Sequence, residues 1–214
     1  MARKRRSSYH HGDLRNALLD MALALVEERG VEAFSMREAA RQLSVSPAAA
    51  YSHFKDKAEV LGQLAMRGFE QLAREMEEGV AQATKGLSGK QSAIEQMKAV
   101  GRAYVHFAVG SPARFRIMFG PYGAGNEDAR GVGEGGRTPF GLLVDALKQL
   151  AEAGVIDSSN VRSGAMPAWA GVHGLAALLV DGAMPMQSKE QLTATTEAVV
   201  SNIVAGLSLP LELS

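Results

Sequence analysis

The side chains that could carry out acid–base chemistry in this chain are few and scattered. A helical-bundle enzyme could use His106 or His173 with Asp181, but no nucleophile, set of metal ligands or cofactor-binding loop accompanies them. The chain contains no cysteine, which excludes disulfides, thiolate zinc sites and cysteine nucleophiles. The sequence therefore favours binding over catalysis, with no cofactor.

Two patterns are similar to metal or nucleotide sites but lack the context of such sites. His10 and His11 are adjacent, so their side chains point in different directions, and a polar helix start near DNA explains them better. Gly131, Gly133 and Gly136 have G-x-G-x-x-G spacing, but no strand precedes them and no P-loop Lys-Ser/Thr follows. We expect neither a metal nor a nucleotide.

The distribution of charge points to nucleic acid although the net charge is zero. Residues 1–57 carry ten Lys and Arg against seven Asp and Glu, a net charge of +3, and residues 58–214 carry the balancing −3. Four of the positive charges are consecutive, at Arg3–Arg6. Such a run is either a solvated tail or an arm that follows phosphates or enters a minor groove, and both interpretations stay open.

Residues 35–57 form the segment that would position a DNA-contacting surface. The S-x-x-E pattern beginning at Ser35 predicts the start of one short helix, and Ser46 with Pro47 predicts the start of a second. Two helices of this length cannot bury a core alone, and the amphipathic helix predicted over 14–28 supplies the third. This is the organisation of a helix-turn-helix, whose second helix lies in the major groove.

The same segment resembles the TetR family of transcriptional regulators. Its second helix follows a Val-Ser pair and leads into the family's Y-x-H-F and K-x-K patterns within Tyr51–Lys57, followed by Leu61. The resemblance covers Tyr9–Leu64. One departure is Ser44, where the family commonly has glycine, and serine adopts a left-handed backbone at modest cost.

The start of the second helix should meet the base edges. Pro47, Ala48 and Ala49 offer only apolar contact, best with a thymine methyl. The resemblance places a base-reading arginine at Arg37, with a phosphate contact as the open alternative. Tyr51 is interpreted either as a phosphate contact or as a packing residue. The expected DNA contacts are Arg3, Lys4, Arg5, Arg6, Arg37, Ser46, Pro47, Ala48, Ala49, Tyr51, Ser52, His53 and Lys57.

Helical periodicity continues beyond the DNA-binding segment, without any alternating strand pattern. We predict an all-α chain of about nine helices, with a DNA-binding domain at 1–57 and a ligand-binding and dimerisation domain at 58–214. The glycine-rich stretch 120–137 reads as a loop. The helices predicted after the first three cover 56–83, 92–109, 112–119, 138–153, 165–183 and 188–207.

A second resemblance lies in the C-terminal half. Trp169, His173 and Gly174, within Met166–Gly182, are similar to the W-H-G class of TetR-family regulators. Aromatic and methionine side chains could line a pocket between helices, although each could equally be a core residue, and His173 a hydrogen-bonded buried histidine. The ligand-binding candidates are Tyr104, Phe107, Met118, Phe140, Met166, Trp169 and His173.

The last two helices are more apolar than the surface of a monomer tolerates. The resemblance implies that they pair with a second copy in a four-helix bundle, the alternative being that they form the core. We find no apolar run long enough to span a membrane and no signal peptide, and we expect a cytoplasmic protein. The sequence thus predicts a homodimeric repressor that a small-molecule effector releases from a palindromic operator in double-stranded DNA. An architectural, non-specific DNA binder and a helical-bundle enzyme are the rival hypotheses.

Overall fold

The computed structural model describes residues 14–124, 137–185 and 188–208, and these ranges contain helices but no strand. The all-α prediction is therefore confirmed. The described ranges hold ten helices, one more than expected. Their bounds are α1 Leu14–Arg29, α2 Met36–Gln42, α3 Pro47–Tyr51, α4 Lys57–Ala83, α5 Gly89–Gly110, α6 Pro112–Phe119, α7 Pro121–Ala124, α8 Pro139–Glu152, α9 Asn160–Val180 and α10 Lys189–Ser208.

Helices α1 to α3 form the predicted three-helix unit, and their starts depend on side-chain caps. Ser35 Oγ accepts a hydrogen bond from the backbone N–H of Glu38 at 3.2 Å, and Ser46 Oγ accepts one from Ala49 at 3.1 Å. Pro47 occupies the first position of α3, where a missing N–H costs nothing. The predicted helix starts at Ser35 and Ser46 are confirmed.

The turn between α2 and α3 requires a left-handed residue. Ser44 has φ of 57°, the only positive φ of a non-glycine residue in the described ranges. Its N–H donates to the carbonyl of Arg41 and the N–H of Val45 donates to that of Ala40, a hydrogen-bond pair that closes helix ends. Val45 packs partly buried against the core, as expected for the residue between the two helices. The serine at this turn therefore keeps the backbone that the family obtains with glycine.

Helix α4 connects the three-helix unit to the C-terminal bundle. Asp56 caps it, and its buried face extends from Val60 near the first turn to Met76. Helix α1 of the three-helix unit packs against it, and so do α5, α6, α7 and α8. Because α4 begins at the proposed boundary and contacts both parts, the domain division at residues 57 and 58 stays a prediction.

The C-terminal bundle is built from α5, α8, α9 and α10, with α4 on one side. Helix α9 is long and apolar enough to cross a membrane by length and composition, with 33% of its most apolar window buried. It packs against α5, α8 and α10, so its buried face belongs to the core of the bundle. The sequence-based prediction was that no apolar run reaches this length, and α9 is an exception to it by length and composition alone.

One helix was not predicted, and the bounds of α5 and α9 differ from the prediction by three residues or more; α5 starts at Gly89 rather than at 92. Within the stretch assigned to a loop, the single turn α7 forms after Pro121. Helix α9 begins at Asn160 rather than 165, because Asp157 and Ser159 start it five residues earlier and Pro167 is accommodated inside it. It ends at Val180, since Gly182, with φ of 74°, turns the backbone before Pro185 is reached.

Candidate nucleic-acid interface and effector cavity

Helix α3 presents the predicted DNA-contacting side chains on its outer side. Its inner side is fixed by Ala50 and Phe54, which are 0% and 1% exposed. A guanidinium of Arg15 lies 4.7 Å from the centre of the Phe54 ring and covers it from α1. The outward residues of this segment are Ser46, Pro47, Ala48, Tyr51 and Ser52, which are exposed, and Ala49 and His53, which are partly exposed.

The two arginines of α2 have different surroundings. Arg41 donates to both carboxylate oxygens of Glu38 at 2.8 and 2.7 Å, and this hydrogen bonding lowers the pKa of Glu38 to about 2. Glu38 therefore bonds Arg41 and Gln42 rather than closing the second half of the capping box at Ser35. Arg37 is exposed and has no side-chain partner within the described residues. Of the two guanidinium groups, that of Arg37 has no partner in the described ranges and can bond a base or a phosphate.

Two predicted phosphate contacts already have intramolecular partners. Ser52 Oγ donates to the carbonyl of Ala49 at 2.7 Å, and Lys57 Nζ donates to the carbonyl of Glu32 at 3.2 Å. The lysine ammonium keeps two further donors, at the N-terminus of α4 where the helix dipole favours an anion. Tyr51 is 45% exposed, which agrees with a contact role better than with a packing role. The arm residues Arg3, Lys4, Arg5 and Arg6 lie outside the described residues.

In the C-terminal bundle, three of the predicted ligand-binding side chains lie together. The ring of Tyr104 lies 5.8 Å from that of Trp169 and 6.2 Å from that of His173, measured between ring centres. Phe115 and Phe119 of α6 join this group, with ring centres 5.4 and 4.6 Å from His173. We call these five residues the aromatic cluster.

Phe115 and Phe119 were not among the ligand-binding residues predicted from the sequence. Their spacing of four residues on a helix places both on one face, and this was the available signal. Spacing alone does not reveal which neighbouring helix that face meets. In the structure, this face of α6 contacts Tyr104 of α5 and His173 of α9.

Tyr104 and His173 form the polar centre of the aromatic cluster. The Tyr104 hydroxyl and His173 Nδ1 are 2.8 Å apart and share a hydrogen bond. Burial raises the pKa of the Tyr104 hydroxyl and lowers the pKa of the His173 imidazole, because both charged forms lose hydration. Both groups are therefore neutral at pH 7, and the pair carries no charge.

A small cavity of about 20 Å³ lies beside the aromatic cluster. This volume holds about one water molecule, far less than the roughly 300–1,000 Å³ of a site occupied by a drug-sized ligand. Its lining is wholly apolar, and Tyr104 contributes only apolar surface to it. The lining residues are Met76, Met97, Val100, Gly101, Tyr104, Pro139, Leu143, Trp169, Val172 and Val200.

The other predicted ligand-binding residues lie apart from this cavity. Phe107 and Met118 are core residues, 3% and 0% exposed. Phe140 is 36% exposed and packs on the outer side of Trp169, with ring centres 5.3 Å apart. Met166 is 63% exposed on α9. Of the predicted ligand-binding residues, only Tyr104 and Trp169 line the cavity. His173 is connected to it indirectly, by its hydrogen bond to Tyr104.

The side chains of the enzyme hypothesis do not meet. His106 lies 3.3 Å from the Thr193 hydroxyl, and Asp181 pairs with Arg116 at 3.3 Å, while His173 bonds Tyr104. Across the described ranges, no group of three or more His, Cys, Asp or Glu side chains is arranged to hold a metal ion. The glycine triplet at 131–136 lies outside those ranges.

Two protein-family models match the sequence. The model described as "Bacterial regulatory proteins, tetR family" matches residues 18–64, and "Tetracyclin repressor-like, C-terminal domain" matches residues 97–203, half of the chain. The first covers α2, α3 and their flanking helices, and the second covers the aromatic cluster. No curated protein sequence matches this chain.

Solved structures share the whole architecture. A protein of unknown function from Rhodococcus sp. RHA1 is 28% identical, with a TM-score of 0.74 over 95% of this chain and 100% of that one. FadR from Bacillus subtilis in complex with stearoyl-CoA is 19% identical, with a TM-score of 0.66 over 89% and 98%. AibR in complex with isovaleryl coenzyme A and operator DNA is 20% identical, with a TM-score of 0.55 over 92% and 99%.

Proposed function

This chain belongs to the TetR family of transcriptional regulators, and from that premise we propose that it is a homodimeric repressor which a small molecule releases from a palindromic operator. The observation that carries the proposal is the outer side of α3. A capped helix with its inner side anchored by Ala50 and Phe54 offers small exposed side chains at its N-terminal end. A surface of this shape can approach the floor of a major groove closely.

The proposed readout divides between base edges and phosphates. Pro47, Ala48 and Ala49 make apolar contacts with thymine methyl groups, and Arg37 donates to a guanine. Polar side chains around α3 bind phosphates and fix the position of the helix. The basic arm at Arg3–Arg6 adds phosphate or minor-groove contacts. The phosphate-binding set is Tyr51, Ser52, His53 and Lys57, and the capping residue Ser46 lies next to the groove at the start of α3.

The outer sides of α9 and α10 support the homodimer. On α9, Met166 and Leu178 are 63% and 49% exposed, and the exposed Ala170 lies between them, four residues after Met166 and eight before Leu178. On α10, the exposed small residues are Ala194, Ala198 and Ala205. Exposed apolar and small residues that align on two adjacent helices suit close helix packing with a second copy. A dimer carries two recognition helices and so reads two half-sites.

Helix α6 is the element through which an effector could act on DNA binding. One face carries Phe115 and Phe119 of the aromatic cluster. The adjacent face packs closely on α4, where a Cβ added to Gly68 would lie 2.6 Å from the Met118 sulfur, and Arg114 donates to Gln71. A displacement of α6 would therefore move α4 and change the separation of the recognition helices. The effector favours one state only by its differential affinity for the two.

The proposed role is one of binding without a catalysed reaction, in the cytoplasm where the DNA is. Regulators of this family are generally soluble DNA-binding proteins that lack enzymatic activity. The separate partners of His106, His173 and Asp181 support the same interpretation.

Operator binding tests the proposal. Fragments of the chain's own upstream DNA should bind at nanomolar concentration, and replacing thymine by uracil within the half-sites should weaken binding. The variant Ala48→Glu should lose binding because it places a carboxylate against the base edges in the negatively charged major groove, while its melting temperature stays unchanged since Ala48 is exposed. Ala81→Glu, at an exposed position on α4, is the matched control and should bind normally. Equal, salt-dependent binding to all DNA sequences would instead indicate a non-specific binder.

A further inference from the structure

We propose that the effector is an uncharged aromatic molecule with a single hydrogen-bonding group, which takes the place of the Trp169 indole beside Tyr104. This inference rests on the proposed function, because it names the chemical class that the switching site accepts. It depends on the lining of the cavity, on the Tyr104–His173 pair and on the position of Trp169.

The lining excludes a charged guest. Among the described residues around the cavity, none has a charged side chain, so a carboxylate or an ammonium would lose its hydration without gaining a counter-ion. Nearby charged side chains are already paired. Arg102 Nη1 lies 2.5 Å from Glu197, and Arg137 lies 3.2 Å from Glu77 and 3.1 Å from Asp145. Recruiting one of these arginines would require breaking an existing ion pair.

The Tyr104–His173 pair provides one polar contact. If the hydroxyl donates to Nδ1, its oxygen can still accept a hydrogen bond, and if Nδ1–H donates, the hydroxyl can donate to the guest. The present cavity is wholly apolar, but either arrangement leaves the Tyr104 hydroxyl one hydrogen bond to offer to a guest that replaces the neighbouring indole. A hydroxyl or carbonyl group on the guest can form this hydrogen bond with Tyr104, and a guest without such a group cannot.

Trp169 is the side of the cavity that can open. Most of the lining consists of fully buried side chains such as Met76 and Met97, each 1% exposed. Trp169 is only partly buried, and behind it Phe140 is 36% exposed. Outward rotation of the indole would vacate a space of aromatic size. The vacated space keeps the edge-to-face ring partners of the indole, Tyr104 at 5.8 Å and Phe119 at 6.2 Å.

Intrinsic fluorescence gives a direct measurement, since Trp169 is the single tryptophan of the chain. We would titrate the full-length protein with 4-propylphenol, propylbenzene and 4-propylbenzoate, which share an alkylbenzene body and differ in their polar group. We expect 4-propylphenol to change the Trp169 emission and to lower operator affinity. It should bind at least about tenfold more tightly than 4-propylbenzoate, whose carboxylate is ionised at pH 7.

The variant Tyr104→Phe should remove the preference for 4-propylphenol over propylbenzene and retain the rejection of 4-propylbenzoate. Tyr122→Phe, which removes a hydroxyl outside the aromatic cluster, is the matched control and should change neither. Equal or tighter binding of 4-propylbenzoate by the unaltered protein would overturn the proposal, and so would the absence of any emission change with all three probes. These measurements need no variant, so a poorly folded Tyr104→Phe does not remove the test.

Operator binding by the ligand-free protein separates the two proposals. A protein that binds its operator but prefers 4-propylbenzoate remains a repressor, and only the effector class is then wrong. A protein that binds no operator contradicts the proposed function itself, whatever the probes do to the emission of Trp169.

Discussion

Arg37 and Arg41 lie about one turn apart on α2, and their different partners suggest different roles. Arg41 is held by Glu38 through two hydrogen bonds, whereas Arg37 has no partner in the described part of the chain. A guanidinium with all its donors free can bond the O6 and N7 of a guanine together. The sequence left base and phosphate contact open for Arg37, and its free donors are compatible with both.

We predict that Arg37→Ala relaxes the sequence preference at one base pair in each half-site. The cost for the preferred sequence should be about 1–3 kcal/mol, the worth of a bidentate base contact. Binding to a set of operator variants, measured by fluorescence anisotropy at fixed salt, checks this. Arg41→Ala is the control on the same helix and should leave the preference unchanged. A loss after Arg37→Ala that is uniform across all sequences would identify a phosphate contact.

At the residue scale, local rules predicted well what depends on neighbours in sequence. The caps at Ser35 and Ser46 and the left-handed Ser44 follow from side-chain hydrogen bonding and backbone sterics within a few residues. The hydrogen bonds of the Glu38 side chain did not follow from these rules. Its carboxylate could accept from the Ser35 backbone N–H or from the Arg41 guanidinium, and in the structure it accepts from Arg41. That choice depends on side-chain geometry, which the S-x-x-E pattern does not specify.

At the scale of elements, glycines set how closely the helices of the bundle approach. A Cβ added at Gly101 of α5 would lie 2.5 Å from Cγ2 of Val200, a fully buried residue of α10. Valine has few rotamers, so this contact cannot relax by rotation of a flexible side chain. Gly79 of α4 differs, because an added Cβ would lie 3.8 Å from the Cβ of Ala103, an ordinary contact.

We predict opposite effects of alanine at these two glycines. Gly101→Ala should lower the free energy of unfolding by about 1–3 kcal/mol through overpacking of α5 against α10. Gly79→Ala, the matched control, should raise it by up to about 1 kcal/mol, because alanine favours the helix over the unfolded chain. Denaturant unfolding at one protein concentration measures both. Stabilisation by both substitutions would mean that α10 packs less closely on α5 than described.

At the scale of the whole molecule, DNA recognition depends on a second copy. One recognition helix reads a few base pairs, and a two-fold dimer doubles the readout and fixes the half-site spacing. Met166 and Leu178 are the exposed large apolar side chains of α9, and we propose that they contact the partner. Met166 was expected in the ligand pocket, and its exposure makes the interface its better assignment.

We predict that the double substitution Met166→Glu and Leu178→Glu yields a folded monomer, because it places four carboxylates across the two-fold interface. Sedimentation velocity at micromolar concentration should show the change in mass. Operator binding should weaken at least about tenfold, since the two half-sites are then bound separately. Val109→Glu, at an apolar position that is 40% exposed at the end of α5, is the control and should remain dimeric. A dimeric double variant would place the interface elsewhere.

The sequence alone determined the helical class, the three-helix DNA-binding unit and the outward side of α3, because each depends on caps, periodicity and turn residues close together in the chain. The tertiary structure decided which side chains share a cavity. Phe107 and Met118 entered the core, Met166 reached the surface, and Phe115 and Phe119 joined Tyr104 and His173 across three helices. Helical periodicity identifies a buried face but not the helix that covers it, so this long-range pairing follows only from how α5, α6 and α9 pack together.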